Sequence, residues 1–216
     1  QTYPYWDGTA GEAVDADFDR TETVDGLDVL LDRLLGFGVF AGVLVLDDVD
    51  AHVGEHRHRV LDLLGEVNSR TDSVVRRRGG RIVKHLGDGT MAVFLDGSEA
   101  IEAAHEVIVA VSALTVDGYR PQLRAGLHTG APRVVDDDYL GVDVNIAARV
   151  ADAAGAGELL VTAATLAQAA GTGDTPADTA SSDARPRRYV TRRRRFKAKG
   201  VPRDIEVFAV IPRYED

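Results

Sequence analysis

The chain has 216 residues, 44% of them hydrophobic, and a formal net charge of −10 at pH 7. That length and hydrophobic fraction predict one sizeable core, in a single domain or in a domain with an arm. The absence of cysteine excludes a disulfide framework and a thiolate metal site. The sequence shows no internal repeat and no apolar run long enough for a membrane span.

Apolar residues recur at helical or alternating spacing along most of the chain. The predicted elements are, in chain order, a helix at 27–35, a strand at 43–46, a helix at 56–76, a hairpin at 81–94, a helix at 98–114, a strand at 122–129 with a hairpin extension at 132–135, a helix at 142–154, a strand at 158–162, a helix at 163–170, and closing strands at 189–191 and 205–210. This order predicts an α+β sandwich with a mainly antiparallel sheet and helices on its faces.

We predict an N-terminal segment with a short entry helix, residues 1–40, and a domain, residues 41–216. Within that domain, residues 171–185 are a mixture of Gly, Ser, Thr, Asp and Ala that predicts a flexible excursion. With the basic hairpin arm that follows it, the excursion extends over residues 171–203.

A Gly87-Asp88-Gly89 turn separates two apolar runs in the segment 84–94. Asp-Gly between alternating apolar residues is a strong hairpin signal, because glycine tolerates the positive φ of such turns. Standing alone, an aspartate here more often serves backbone geometry than chemistry. Lys84 lies four residues before Asp88, so a cation and a carboxylate are both expected on this hairpin.

A second carboxylate follows the apolar run 43–46, which ends abruptly at Asp47 and Asp48. A carboxylate at a strand end is able to reach another at the tip of a neighbouring hairpin, here Asp88. Mg²⁺ and Mn²⁺ prefer such oxygen ligands and keep coordination positions for water and phosphate. The sequence therefore suits a metal site that serves phosphoryl transfer.

Asn145 and Arg149 lie four residues apart in the predicted helix 142–154. At this spacing both side chains project from one helix face. They either address one ligand together or belong to an exposed polar face, which is the commoner fate of such pairs.

Taken in order, these motifs resemble the class III adenylyl and guanylyl cyclase catalytic domain. The likeness extends from about Gly42 to Val210 and is carried by the strand that ends in Asp47, the hairpin 84–94, the strand 123–130, the segment 138–149 and the closing sequence 196–200. Several spaced motifs in the right order are more specific than any one of them. The resemblance implies a palm-like, ferredoxin-like βαββαβ sandwich that works as a homodimer with sites at the interface.

The resemblance also implies catalytic roles. Asp47 and Asp88 fall on the two aspartates that bind a pair of Mg²⁺ or Mn²⁺ ions. Asn145 falls on the asparagine that orients the ribose, and Arg149 on the arginine that stabilises the transition state. A planar guanidinium suits oxygens that gain charge, a role in which lysine is the poorer substitute.

Three further positions are implied to bind substrate. Lys84 and Asp138 fall on the lysine and aspartate that select adenine, and Lys199 on the lysine that holds the triphosphate, with Lys197 as the alternative if the register slips by two. A lysine donor and an aspartate acceptor suit a ring nitrogen and the exocyclic amine of adenine, whereas guanine presents a carbonyl in place of that amine. The expected activity is conversion of ATP to 3′,5′-cyclic AMP and pyrophosphate. Because residues 1–40 lack a signal-peptide pattern, we expect it in the cytoplasm.

The loop after Asp47 departs from the family pattern. It reads Asp-Val-Asp-Ala-His at 48–52, where the family usually has Ile and then a Gly-Phe-Thr or Asp-Ser-Thr type of sequence that wraps the phosphates. Two alternatives therefore stay open. One is a pyrimidine cyclase that uses UTP or CTP in bacterial antiphage defence, because pocket depth also decides which base fits. The other is a non-catalytic nucleotide-binding or dimerising module.

Charge is distributed unevenly along the chain. Residues 184–203 contain ten Lys or Arg and no acid, whereas residues 1–28 contain eight acids and one Arg. The run Arg192–Arg195 is of a kind that binds nucleic acid or acidic lipid. The net acidity opposes general polyanion binding, however, and the run leads directly to Lys199. We therefore predict a solvated strand of the C-terminal hairpin and no nucleic-acid partner.

Overall fold

The structure is a computed structural model that describes residues 39–47, 57–116, 119–136, 138–171 and 189–213. The strands in these ranges are β1 Val39–Asp47, β2 Arg81–Leu86, β3 Gly89–Phe94, β4 Gln122–Gly130, β5 Arg133–Val135, β6 Asp138–Leu140, β7 Leu159–Thr162, β8 Tyr189–Arg194 and β9 Val207–Pro212. The helices are α1 Arg57–Arg77, α2 Gly97–Ser112, α3 Val142–Asp152 and α4 Ala163–Ala169.

Seven of these strands form one sheet in the order β2-β3-β1-β4-β7-β9-β8. β1 lies between β3 and β4 and pairs antiparallel with both. β4 and β7 pair in parallel, while β7 with β9 and β9 with β8 are antiparallel. β5 and β6 form a separate hairpin. The predicted α+β fold with a mainly antiparallel sheet and flanking helices is therefore confirmed.

One face of the sheet packs against α1 and α2 and is apolar. Buried residues of α2 recur three and four positions apart, which gives the helix a continuous apolar stripe. Alternate residues of β4 (Leu123, Ala125 and Leu127) meet this stripe, because successive strand side chains point to opposite faces. This layer contains the largest core cluster among the described residues.

The opposite face carries α3 and the β5–β6 hairpin. α3 approaches β4 closely at Gly126, where an added Cβ would lie 2.1 Å from the backbone nitrogen of Ala151. Glycine is therefore required at this crossing. Apolar residues of α3 (Ile146, Ala147, Val150 and Ala151) are buried beneath the helix. At its other end, the first turn of α3 lies against the end of β4, where an added Cβ at Gly130 would meet Asp143.

Element boundaries depart from the sequence predictions mainly in the strands. β1 and β8 are longer than predicted, because pairing with neighbouring strands extends each beyond its apolar run. The helix predicted at 27–35 and most of the excursion predicted at 171–185 lie outside the described residues, so the domain boundaries stay a prediction. No described helix has the length and apolar content needed to cross a membrane.

Candidate active site

Lys84 and Asp138, which are 54 residues apart in sequence, meet in the structure. The Nζ atom of Lys84 lies 2.5 Å from Oδ2 of Asp138, and each side chain is 37% exposed. Lys84 pairs with Met91 across β2 and β3, and Met91 packs with Tyr139. Arg81 of β2 also donates a hydrogen bond to the Tyr139 hydroxyl, at 2.9 Å. These contacts hold the β5–β6 hairpin against β2, so that Asp138 lies beside Lys84.

In the Lys84–Asp138 pair, Lys84 is a hydrogen-bond donor and Asp138 is an acceptor. The hydrogen bond from Lys84 lowers the pKa of Asp138, and a second hydrogen bond from the backbone N–H of Tyr139 acts in the same direction. Asp138 is therefore a charged acceptor at neutral pH, and Lys84 presents donors only. Because both side chains are partly exposed, the pair is accessible to a ligand that offers an acceptor and a donor side by side.

Asp47 and Asp88 are brought to the same end of the sheet by strand register. Val45 pairs with Gly89, so the Gly87-Asp88 turn lies next to the last residues of β1, where Asp47 ends the strand. Asp88 is exposed. The side chain of Asp47 lies outside the described part of the structure.

The carboxylates at this strand end fit a hard divalent cation by ligand type. Among the side chains that the structure describes, no group of three or more His, Asp or Glu is arranged to hold a metal. Two carboxylates suffice where the remaining ligands are water and substrate phosphates, which is how Mg²⁺ is commonly bound. The predicted metal site therefore stays a prediction whose donor set is suitable.

Asn145 and Arg149 both lie on α3 and are exposed, one turn apart. Arg149 Nη1 lies 3.0 Å from Oδ2 of Asp152, in an ion pair in which both side chains are about half exposed. Surface pairs of this kind contribute little stability, so the guanidinium is able to exchange Asp152 for an anionic ligand. Within the described residues, neither Asn145 nor Arg149 hydrogen-bonds to the Lys84–Asp138 pair.

Lys199 lies in the connection between β8 and β9, directly before Gly200, whose φ is +80°. Phe196, Val201 and Ile205 anchor this connection on the apolar cluster beneath α3. Both Lys197 and Lys199 are left exposed. The structure thus carries both candidate triphosphate lysines on one anchored loop, and the choice of Lys199 stays a prediction.

The arginine run is partly neutralised by ion pairs. Arg193 lies 2.5 Å from Glu206, and Arg194 lies 3.3 Å from Glu158. All of the side chains in β8 from Val190 onward are exposed. This arrangement is that of a solvated edge strand, in agreement with the interpretation drawn from the sequence.

A buried polar network joins β4, β7 and α3, and none of its members is among the site residues predicted from the sequence. His128 is 4% exposed, with Nδ1 3.0 Å from Thr162 Oγ1 and Nε2 3.2 Å from Asp143 Oδ1. Burial lowers the pKa of His128, although its hydrogen bond to Asp143 acts in the opposite direction. The available signal was the position of His128 in β4, one residue out of phase with the apolar alternation.

The chain is similar in sequence and in structure to several known proteins. No protein-family model matches the chain. The chain is 36% identical to an uncharacterized protein of Mycobacterium tuberculosis over 102 residues, which are 47% of this chain and 26% of that protein. It is 28% identical to an adenylate cyclase of Streptomyces coelicolor over 152 residues, 70% of this chain and 38% of the relative. The chain thus spans well under half the length of these curated relatives.

Solved structures show the same fold. An adenylate cyclase from Trypanosoma brucei superposes with a TM-score of 0.66 at 18% identity, covering 80% of this chain and 89% of that one. The guanylate cyclase domain of RhGC from Catenaria anguillulae, solved with GTP, gives a TM-score of 0.66 at 17% identity, with coverage of 82% and 98%. The resemblance predicted from the motifs is confirmed: this chain has the fold of the class III nucleotide cyclase catalytic domain.

Proposed function

We propose that this chain is the catalytic domain of a nucleotide cyclase that converts ATP to 3′,5′-cyclic AMP and pyrophosphate. The observation that carries the choice of ATP is the contact between Lys84 and Asp138, because a donor and a charged acceptor lie side by side at 2.5 Å. Adenine offers a ring-nitrogen acceptor and an amine donor to such a pair. The similarity to an adenylate cyclase of Streptomyces coelicolor supports the same choice.

The reaction is an in-line phosphoryl transfer, in which positioning and charge stabilisation supply most of the catalysis. Asp47 and Asp88 would hold two Mg²⁺ or Mn²⁺ ions. Those ions, when bound, favour deprotonation of the ribose 3′-hydroxyl and neutralise charge on the pyrophosphate. Arg149 presents its fork of N–H donors to phosphate oxygens that gain charge, and Asn145, on the same helix face, orients the ribose.

The separation of the two residue groups supports a homodimer. Asp47 ends β1 and Asp88 lies in the adjacent turn between β2 and β3, whereas Asn145 and Arg149 lie on the exposed side of α3. In a two-fold symmetric dimer the metal-binding end of one subunit faces α3 of the other, and symmetry generates two equivalent sites. Each site then contains all of the proposed residues, although one subunit supplies only part of them.

The activity test uses the purified chain with Mn²⁺ and ATP, GTP, CTP or UTP in separate reactions, with products identified by mass. We expect cyclic AMP as the main product. Cyclic GMP as the main product would contradict the proposed role of Lys84 and Asp138. A cyclic pyrimidine would instead favour the antiphage alternative. No product from any of the four nucleotides would favour the non-catalytic module.

The shared site is tested by mixing two inactive variants, Asp88→Ala and Arg149→Ala. In a mixed dimer one site lacks both residues and the other retains both. Equal mixing should therefore restore about a quarter of the wild-type activity, because half of the dimers are mixed and each has one intact site. Activity that stays absent, with dimers confirmed by their mass in solution, would contradict the proposed assembly.

A further inference from the structure

Asp143, in the first turn of α3, hydrogen-bonds to residues at the end of β4. Its Oδ1 atom lies 3.2 Å from Nε2 of His128, and its Oδ2 atom accepts a hydrogen bond from the backbone N–H of Ala131 at 3.0 Å. The chain between Ala131 and Asp143 contains the whole β5–β6 hairpin. The Asp143 carboxylate therefore links the two ends of the segment 131–143, which carries Asp138.

The space for this carboxylate depends on a glycine. A Cβ added to Gly130 would lie 2.3 Å from Cγ of Asp143. A side chain at position 130 would therefore overlap the Asp143 side chain. The end of β4 is thus shaped around the Asp143 side chain.

Three threonine hydroxyls form a chain of short contacts that ends at His128. Thr129 donates to Thr165 at 3.1 Å, Thr165 and Thr162 lie 3.2 Å apart, and Thr162 lies 3.0 Å from His128 Nδ1. Each hydroxyl has one proton to donate. If Thr165 donates to Thr162 and Thr162 to Nδ1, a neutral His128 carries its proton on Nε2. That proton is the one the Asp143 carboxylate needs.

We propose that His128 and Asp143 are positioning residues of the cyclase site. Together with the Ala131 N–H they form a hydrogen-bonded group, here called the clasp. The clasp fixes the position of the β5–β6 hairpin, which bears Asp138, relative to α3, which bears Asn145 and Arg149. The inference rests on the proposed function. Asp143 lies five residues after Asp138 and two before Asn145, so one anchor controls both the base-reading side chain and the ribose and phosphate side chains. Small displacements of such groups are costly, since an error of 1 Å in placement lowers rates by about 100-fold.

The clasp is tested by the pair His128→Leu and His128→Gln. Leucine removes the donor, whereas glutamine retains an N–H close to the position of Nε2. We expect His128→Leu to lower kcat by about 100-fold and to reduce the preference for ATP over GTP. His128→Gln should retain most of the wild-type kcat and most of the wild-type preference for ATP. Asp143→Asn, which cannot accept from the Ala131 N–H and from His128 at once, should lower kcat as well. Glu66→Gln, in an exposed ion pair on α1, is the control and should behave as wild type.

All variants are compared at a temperature at which circular dichroism shows each to be fully folded, and rates are expressed per folded molecule. A purely structural role would lower the folded fraction and leave kcat and the ATP to GTP ratio of the folded molecules unchanged. Wild-type kcat and selectivity in folded His128→Leu would therefore overturn the proposal.

The geometry of the clasp is tested without turnover by ¹⁵N NMR of histidine-labelled protein, with the His128 signals assigned by their loss in His128→Gln. We expect a neutral ring protonated on Nε2 at pH 7. A ring protonated on Nδ1 would overturn the clasp while leaving the proposed function intact. If the wild-type chain makes no cyclic nucleotide, the proposed function fails, and the catalytic role of the clasp fails with it even if the Nε2 proton is found.

Discussion

The two faces of the central sheet differ in what they bury. The face under α1 and α2 buries an apolar layer, and the ion pairs that Arg78 makes with Glu99 and Glu106 lie at its partly exposed margin. The face under α3 and the β5–β6 hairpin buries the His128–Asp143 hydrogen bond and carries the Lys84–Asp138 pair. Buried polar groups cost free energy unless each has a partner, and on the α3 face Thr162 and Asp143 supply those partners to His128.

We therefore expect the α3 face to serve catalysis and the α2 face to serve stability. Substitutions on the α3 face should change turnover or nucleotide choice more than stability, whereas substitutions on the α2 face should do the reverse. Each of the following variants tests one side of that division.

The largest effect is expected for Arg149→Ala. Among the described residues Arg149 forms an ion pair with the exposed Asp152, and surface pairs of this kind contribute little, so the melting temperature should change little. An arginine that stabilises a phosphoryl-transfer transition state is worth about 10³-fold or more in kcat. Steady-state assays with ATP should show that loss, and Arg70→Ala on α1 should not. Turnover within about tenfold of wild type would remove Arg149 from the reaction.

Ile101→Ala tests the apolar face. Ile101 is completely buried in α2, and truncation of a buried isoleucine costs about 2–5 kcal/mol of unfolding free energy. Urea unfolding should show this loss, while folded molecules retain the wild-type ATP to GTP ratio. A change in that ratio without a change in stability would contradict the division between the faces.

His105, on the apolar face, should make the free energy of unfolding depend on pH. Its Nε2 atom is buried without a hydrogen-bond partner, and burial lowers the pKa of His105 to about 4. The folded protein therefore resists protonation that the unfolded chain accepts below about pH 6.5. This stability is present above pH 6.5 and is lost as the pH falls towards 4, with a total of about 3 kcal/mol.

His105→Leu should remove that contribution. Unfolding free energies measured by urea at pH 7 and at pH 4 should differ less in the variant than in the wild type. An equal difference in both proteins would show that other groups, and not His105, set the acid dependence.

The smallest effect is expected for Asp138→Asn. The amide no longer offers the negatively charged acceptor for the adenine amine, and hydrogen bonds to charged groups contribute about 1.5–3 kcal/mol. The preference for ATP over GTP in kcat/KM should therefore fall by about tenfold or more. Asp136→Asn is the matched control, because Asp136 lies in the same hairpin with φ of 54°, a conformation that asparagine adopts readily. An unchanged preference in Asp138→Asn would contradict the base-reading role.

Local chemistry made much of the fold predictable. The hairpin 81–94 follows from Asp-Gly between alternating apolar residues, and its strands are found at Arg81–Leu86 and Gly89–Phe94. The helices α1 to α4 are found within a few residues of their predicted bounds, because apolar residues recur at helical spacing. The motifs also carry the family resemblance, which implies that Lys84 and Asp138 act together, and the structure brings the two side chains into contact.

Long-range contacts were beyond the reach of pattern alone. Strand order brings His128, Thr162 and Asp143 together from three separate elements, and no local periodicity specifies which hydroxyl or carboxylate a buried histidine will meet. The parallel pairing of β4 with β7 likewise joins segments that α3 and the β5–β6 hairpin separate. Backbone propensity and apolar spacing act over a few residues, so the elements that they specify can be predicted from the sequence. The partners of buried polar groups depend on packing between distant elements, and for that reason they emerged from the folded structure.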